Sequence, residues 1–147
     1  RQLHGGSVMK LTATLLAITL LAFAAPVTTS AETPEAAAES AALAWLTLVD
    51  AGNYAQSWND ASVLFRQSVT ESQWQSAVAA ARAPLGALKS RKVQSVTLKN
   101  SLPGAPDGEY AVIQFASSFE HKASAIETVT PMKDPDGKWH VSGYYIK

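Results

Sequence analysis

The stretch Tyr110-Ala111-Val112-Ile113-Gln114-Phe115-Ala116-Ser117-Ser118-Phe119 decides the fold. Successive side chains of a strand point to opposite faces, so Ala111, Ile113, Phe115 and Phe119 share one face while Val112, Gln114 and Ser118 share the other. A strand with one apolar face belongs to a sheet that packs on a second layer. Downstream, Ala123 to Thr130 reads as another strand and Asp134-Pro135-Asp136-Gly137 as a tight turn. Lys138 to Ile146 then reads as a last strand, with Trp139, Val141, Gly143 and Tyr145 on one face and His140 on the other. Upstream, Lys92 to Asn100 alternates loosely, and the cluster Leu102-Pro103-Gly104-Ala105-Pro106-Asp107-Gly108 stops it. Strands joined by short turns predict an antiparallel sheet.

Before Ser90 the period is helical. Ala38, Ala42, Trp45, Leu46 and Val49 recur as one stripe, which Asp50-Ala51-Gly52-Asn53 ends. A second, shorter helix is expected to carry Tyr54, Trp58 and Ala61 on one face. Thr70-Glu71-Ser72-Gln73 has capping-box spacing, and the helix it opens presents Trp74, Ala77, Val78 and Ala81 until Pro84 and Gly86 end it near Arg82. Helices followed by hairpin-linked strands predict an α+β fold, with three N-terminal helices packed on a curved four-stranded antiparallel sheet.

Met9 and Lys10, the apolar run Leu11 to Ala25 and the small residues Thr29-Ser30-Ala31 have the order of a signal peptide. The run is short for a bilayer-spanning helix, which needs about 20 apolar residues. The predicted organisation is therefore an upstream extension at 1–8, a leader at 9–31 and one domain at 32–147, with a periplasmic or secreted product and no stable membrane insertion after cleavage. Two of the twelve basic residues precede Glu32 and all twelve acidic ones follow, which leaves the mature segment a net charge of −2. That balance offers no basic stripe for nucleic acid. Absence of cysteine excludes disulfides, thiolate nucleophiles and thiolate metal sites.

Candidates for chemistry are few. His121 and His140 are expected at the periphery, nothing has the spacing of a metal motif, and no cofactor is expected. Glu127 shares a strand face with Ala125 and Val129, so it is the candidate catalytic residue: unpartnered it is a general base, whereas pairing with Arg82, Arg91 or Lys122 makes it structural. The four tryptophans, Trp45, Trp58, Trp74 and Trp139, with Tyr54, Phe115, Tyr144 and Tyr145, either line a ligand pocket or form the core, Trp45, Trp58, Phe115 and Trp139 being the leading candidates for a ligand.

The helix, the Asp-x-Gly-x-Tyr turn, the second helix carrying Trp58, the third helix and the four strands resemble the cone-shaped fold of the nuclear transport factor two superfamily. More narrowly, Trp45, Asp50-Ala51-Gly52-Asn53-Tyr54, Ser57-Trp58, Trp74, Pro84-Leu85-Gly86, Ser90-Arg91, the 102–110 turn segment, Phe119, Lys122, Glu127-Thr128 and Trp139-x-Val141-x-Gly143-Tyr144 resemble the bacterial family called domain of unknown function 4019. The resemblance implies an exported domain and supplies no catalytic residues. Enzymes of the broader superfamily commonly place an Asp and His or a Tyr and Asp pair inside the cone; here Asp50 and Asp60 fall in helix-end and loop contexts. The expected function is a non-enzymatic binding or interaction module in the cell envelope, taking a small ligand or an envelope protein through the cone mouth or the outer sheet face. Its alternatives are an enzyme that uses Glu127, and a structural protein that self-associates, as a homodimer, through a sheet whose outer face carries Val112, Tyr144 and Ile146.

Overall fold

A computed structural model describes residues 24–147. The extension at 1–8 and most of the leader lie outside the described residues, and residues 24–33 carry no regular secondary structure. Ala31–Lys147 forms one compact unit. Its elements are α1 (Pro34–Asp50), α2 (Tyr54–Asn59), α3 (Val63–Ser68), α4 (Glu71–Arg82), a 3-10 turn (Ala83–Leu85), β1 (Leu88–Lys99), β2 (Tyr110–Phe119), β3 (Lys122–Lys133) and β4 (Trp139–Ile146). The strands pair antiparallel in the order β1-β2-β3-β4, and α1 packs against all four.

Local chemistry accounts for the helix ends. The Thr33 hydroxyl accepts from the Ala36 amide and Pro34 opens α1, while the expected capping box at Thr70 and Gln73 is formed in both directions. Four helices are present where three were expected. The additional one, α3, is six residues long and is capped by the Ser62 hydroxyl, which accepts from Phe65 N at 3.1 Å. A helix that short shows no periodic stripe. Ala61 accordingly lies between α2 and α3, buried, and not on the face of α2. Gly86, at φ 72°, lets the 3-10 turn approach the β2–β3 turn so closely that an added Cβ would stand 3.0 Å from Glu120 Cβ.

The core face of β2 is as the alternation predicts: Ala111, Ile113, Phe115 and Phe119 are buried. The first three meet Ala38, Ala42, Trp45, Leu46 and Val49 of α1, together with Phe65, Trp74 and Val78. Three indoles find acceptors: Trp45 donates to Ser57 O at 2.8 Å, Trp74 to Ser57 Oγ at 2.9 Å and Trp58 to Val69 O at 2.9 Å. Ser57, fully buried and itself donating to Tyr54 O, is thus the node at which α2 holds α1 and α4 together.

The last strand departs from simple alternation. Val129 pairs with Tyr144 and Pro131 with Val141, so three residue steps of β4 oppose two of β3. This bulge accommodates Pro131, which has no amide to give to a ladder, in a strand with neighbours on both sides. It also reverses the faces beyond it. Tyr144, expected outside, packs edge-on against Trp45 at 5.4 Å and near Trp74, whereas Tyr145, expected inside, is 52% exposed. Ile146 follows Tyr144 to the helix side, so two of the three residues proposed for outward self-association are turned inward.

The reversal sets a contrast for substitution. Tyr144→Ala is expected to lower unfolding free energy by roughly 3 kcal/mol or more, as for other packed aromatic rings, and Tyr145→Ala by less than about 1 kcal/mol. Urea melts of the two variants measure this.

Candidate functional site

Six elements each send one polar side chain to a common point on the helix-facing side of the sheet. Asp50 ends α1, Arg82 ends α4, and Arg91, Ser117, Glu127 and Tyr144 come from β1, β2, β3 and β4. Arg91 and Ser117 are direct cross-strand partners. The Arg91 guanidinium holds both carboxylates: Nε and Nη2 donate to Glu127 at 2.8 and 3.1 Å, and Nη1 and Nη2 donate to Asp50 at 2.7 and 3.0 Å. Arg82 Nη2 adds a bond to Asp50 at 2.8 Å. Ser117 Oγ donates to Glu127 Oε1 at 2.6 Å, and the Tyr144 hydroxyl donates to Oε2.

Glu127 is fully buried, and four donor contacts converge on its two oxygens. Of the partners open to it, the structure selects Arg91. Two arginines and two carboxylates make the cluster formally neutral, which is what allows it to sit in the interior. Burial alone would raise the Asp50 pKa, but hydrogen bonds from Arg91 and Arg82 outweigh it and hold the carboxyl below its ordinary range. For Arg91, desolvation opposes the charge and the bonds to Asp50 and Glu127 prevail, so its pKa is raised. Burial, then the charge of Glu127, drives the Tyr144 phenol well above its ordinary value and keeps it a neutral donor. Arg82 Nε and Nη1 are buried with no hydrogen-bond partner, and its guanidinium stands 4.8 Å over the Phe119 ring.

A groove of about 450 Å³ opens beside this cluster, between α4 and the ends of β3 and β4. Trp74, Ala77, Val78 and Ala81 form one face of α4, and its alanines leave room opposite Tyr144, Tyr145 and Ile146. Tyr144 belongs to both places. A smaller hollow of about 220 Å³ lies between α1 and the start of β4, lined in part by Trp45 and Trp139. Of the expected ligand-lining residues, Phe115 is sealed in the core and Trp58 is committed to Val69, while Trp74, Tyr144 and Tyr145 line the larger of these two spaces.

His121 is 62% exposed. His140 is not simply peripheral: Nδ1 lies 3.1 Å from Asp60 O and Nε2 2.8 Å from the Asp136 carboxylate. Both are acceptors, so the ring satisfies both as imidazolium. Burial pulls its pKa down, the bonds to Asp136 and Asp60 more than offset that, and the result is a raised value. Among the described residues no group of three or more His, Asp or Glu side chains is arranged to hold a metal ion.

Helices on one face of a four-stranded antiparallel meander, with an ion cluster and a groove between the layers, define a small α+β domain. The chain matches the family described as protein of unknown function (DUF4019) over residues 41–144, and it belongs to that family. No curated protein matches it in sequence.

The cluster generates an acid-side prediction. Asp50 has a depressed folded pKa, so its stabilising contribution is present above the unfolded value near 3.8 and is lost as pH falls through the folded value. Asp50→Asn should cost roughly 2 to 3 kcal/mol at neutral pH, somewhat under the range for a sealed ion pair because the side chain is 21% exposed. The gap between wild type and variant should narrow below pH about 4, as read by denaturant melts across pH.

Proposed function

We propose that this domain is a non-enzymatic binding module of the cell envelope, exported by its leader, that takes a small ligand in the groove between α4 and the sheet. The observation that carries the reading is the groove itself. Its volume of about 450 Å³ lies within the range of small-molecule sites, and its walls are aromatic and aliphatic with few polar groups. Two alanines of α4, both exposed, create the space, in a helix whose other inward positions hold Trp74 and Val78. The broader likeness to the cone-shaped superfamily agrees with a site between helices and sheet.

The alternative, catalysis by Glu127, asks a general base to have an oxygen free for a substrate proton. Glu127 has no exposed surface, and Arg91, Ser117 and Tyr144 already occupy both its oxygens. That arrangement favours a structural carboxylate and leaves binding as the better-supported role. Self-association through the outer sheet face loses support because Tyr144 and Ile146 turn to the helix side.

Titration with the neutral fluorophore phenylnaphthylamine tests the groove. Saturable enhancement at one site per chain is expected. Ala77→Trp or Ala81→Trp should abolish it, because an indole on that helix face fills the space, while the circular-dichroism melt of the variant stays close to wild type. Equal binding by the filled variants would place the ligand elsewhere.

A further inference from the structure

Successive side chains of a strand point to opposite faces, yet the groove touches Tyr144, Tyr145, Ile146 and Lys147 in turn. A space that meets all four runs along the edge of β4, and β4 is an edge strand of the sheet. The ladder shows which backbone groups face that space. Lys147 and Ile126 exchange hydrogen bonds in both directions at 3.0 Å. Because bonded and non-bonded pairs alternate between antiparallel strands, Ile146 opposite Glu127 and Tyr144 opposite Val129 turn their amides and carbonyls away from β3. Farther along the same edge the Val141 carbonyl accepts from the Ser62 amide at 2.8 Å. Among the described residues no backbone group outside the sheet pairs with Tyr144 or Ile146. Two donors and two acceptors thus stand open beside the groove, on residues that share its lining with Ala77 and Ala81 of α4. Edge strands are commonly protected by charge. The other edge, β1, carries Lys89, Lys92 and Lys99, whereas β4 carries no Lys, Arg, Asp or Glu.

We propose that the groove binds an extended polypeptide segment, which adds to β4 as a further antiparallel strand. Main-chain hydrogen bonds to Tyr144 and Ile146 hold the segment, and every second side chain, apolar and of modest size, enters the space along Ala77 and Ala81. This rests on the groove being a binding site and names the class of ligand it takes. A lone segment fits better than a second copy of the chain. The copy's β4 would arrive backed by its own α4, and a groove of about 450 Å³ has no room for another helix.

The probe is a short capped peptide alternating valine and serine, titrated into the full chain by calorimetry and in competition with phenylnaphthylamine. It should bind saturably and displace the fluorophore. In the bound register the valine amides face β4 and the serine amides face away. Methylating the valine amides should therefore weaken binding by about tenfold or more, the scale of two lost hydrogen bonds, while methylating the serine amides should change it by less than about twofold. The amides of Tyr144 and Ile146 should gain protection from hydrogen exchange when the peptide is bound. Two methylated peptides that bind alike, or a fluorophore that binds and is not displaced by the parent peptide, overturn strand addition while the groove stands. A dimer in sedimentation that the peptide does not dissociate gives the edge to a second copy and overturns it as well. Saturable binding of neither fluorophore nor peptide overturns the groove and, with it, this inference.

Discussion

Arg91 brings a full positive charge to the buried, helix-facing side of the sheet, with its side chain 8% exposed, and the placement of the surrounding elements follows from how that charge is met. Its planar fork has five donors, and four contacts are made to Asp50 and Glu127. Because Asp50 ends α1 and Glu127 lies in β3, one guanidinium fixes the C-terminal end of the long helix over the middle of the sheet. Apolar burial supplies the cohesion between α1 and β2, but it is non-directional. The bidentate pair supplies the direction. Arg82 extends the constraint to the end of α4, and Tyr144 extends it to β4.

This arrangement also settles which side of the interior remains open. The cluster consumes the polar groups near Glu127, and the aromatic group of Trp45, Trp74, Phe65 and Tyr144 fills the space next to it. What is left between layers is the strip along α4 where alanines face β4. Tyr144 anchors that wall, since its hydroxyl is tied to Glu127 while its ring lines the groove. Stability and any binding there share one side chain.

Much of the fold was legible because β2 alternates cleanly and because Gly52, Thr70 and Gly86 mark helix ends by local chemistry. Glu127 was legible for the same reason, since a period of two places it with Ala125 and Val129. The reversed faces of Tyr144 and Tyr145 were not, because a bulge inserts one residue and period-two counting carries no signal for it; Pro131 in a central strand was the available hint. Helix α3 escaped because six residues make less than two turns, although Ser62 three positions before Phe65 has the form of a cap. Asp50 read as a helix stop, which it is, and its bonds to Arg91 and Arg82 span 41 and 32 residues, a distance at which local pattern says nothing. The groove is a shape between elements. Trp74, Tyr144 and Tyr145 are residues that could be read as pocket-lining, but nothing local in the sequence brings α4 and the end of β4 together.

The central claim is that Arg91 and Glu127 are structural partners whose charges are tolerable only together. A double-mutant cycle with Arg91→Met and Glu127→Leu, followed by urea melts at neutral pH, tests it most directly. Removing either partner alone strands buried charge and should cost roughly 3 to 5 kcal/mol; the double variant should recover a large part of that loss, giving a coupling above about 1 kcal/mol. Losses that simply add would contradict the account and return Glu127 to the position of a carboxylate without a structural partner.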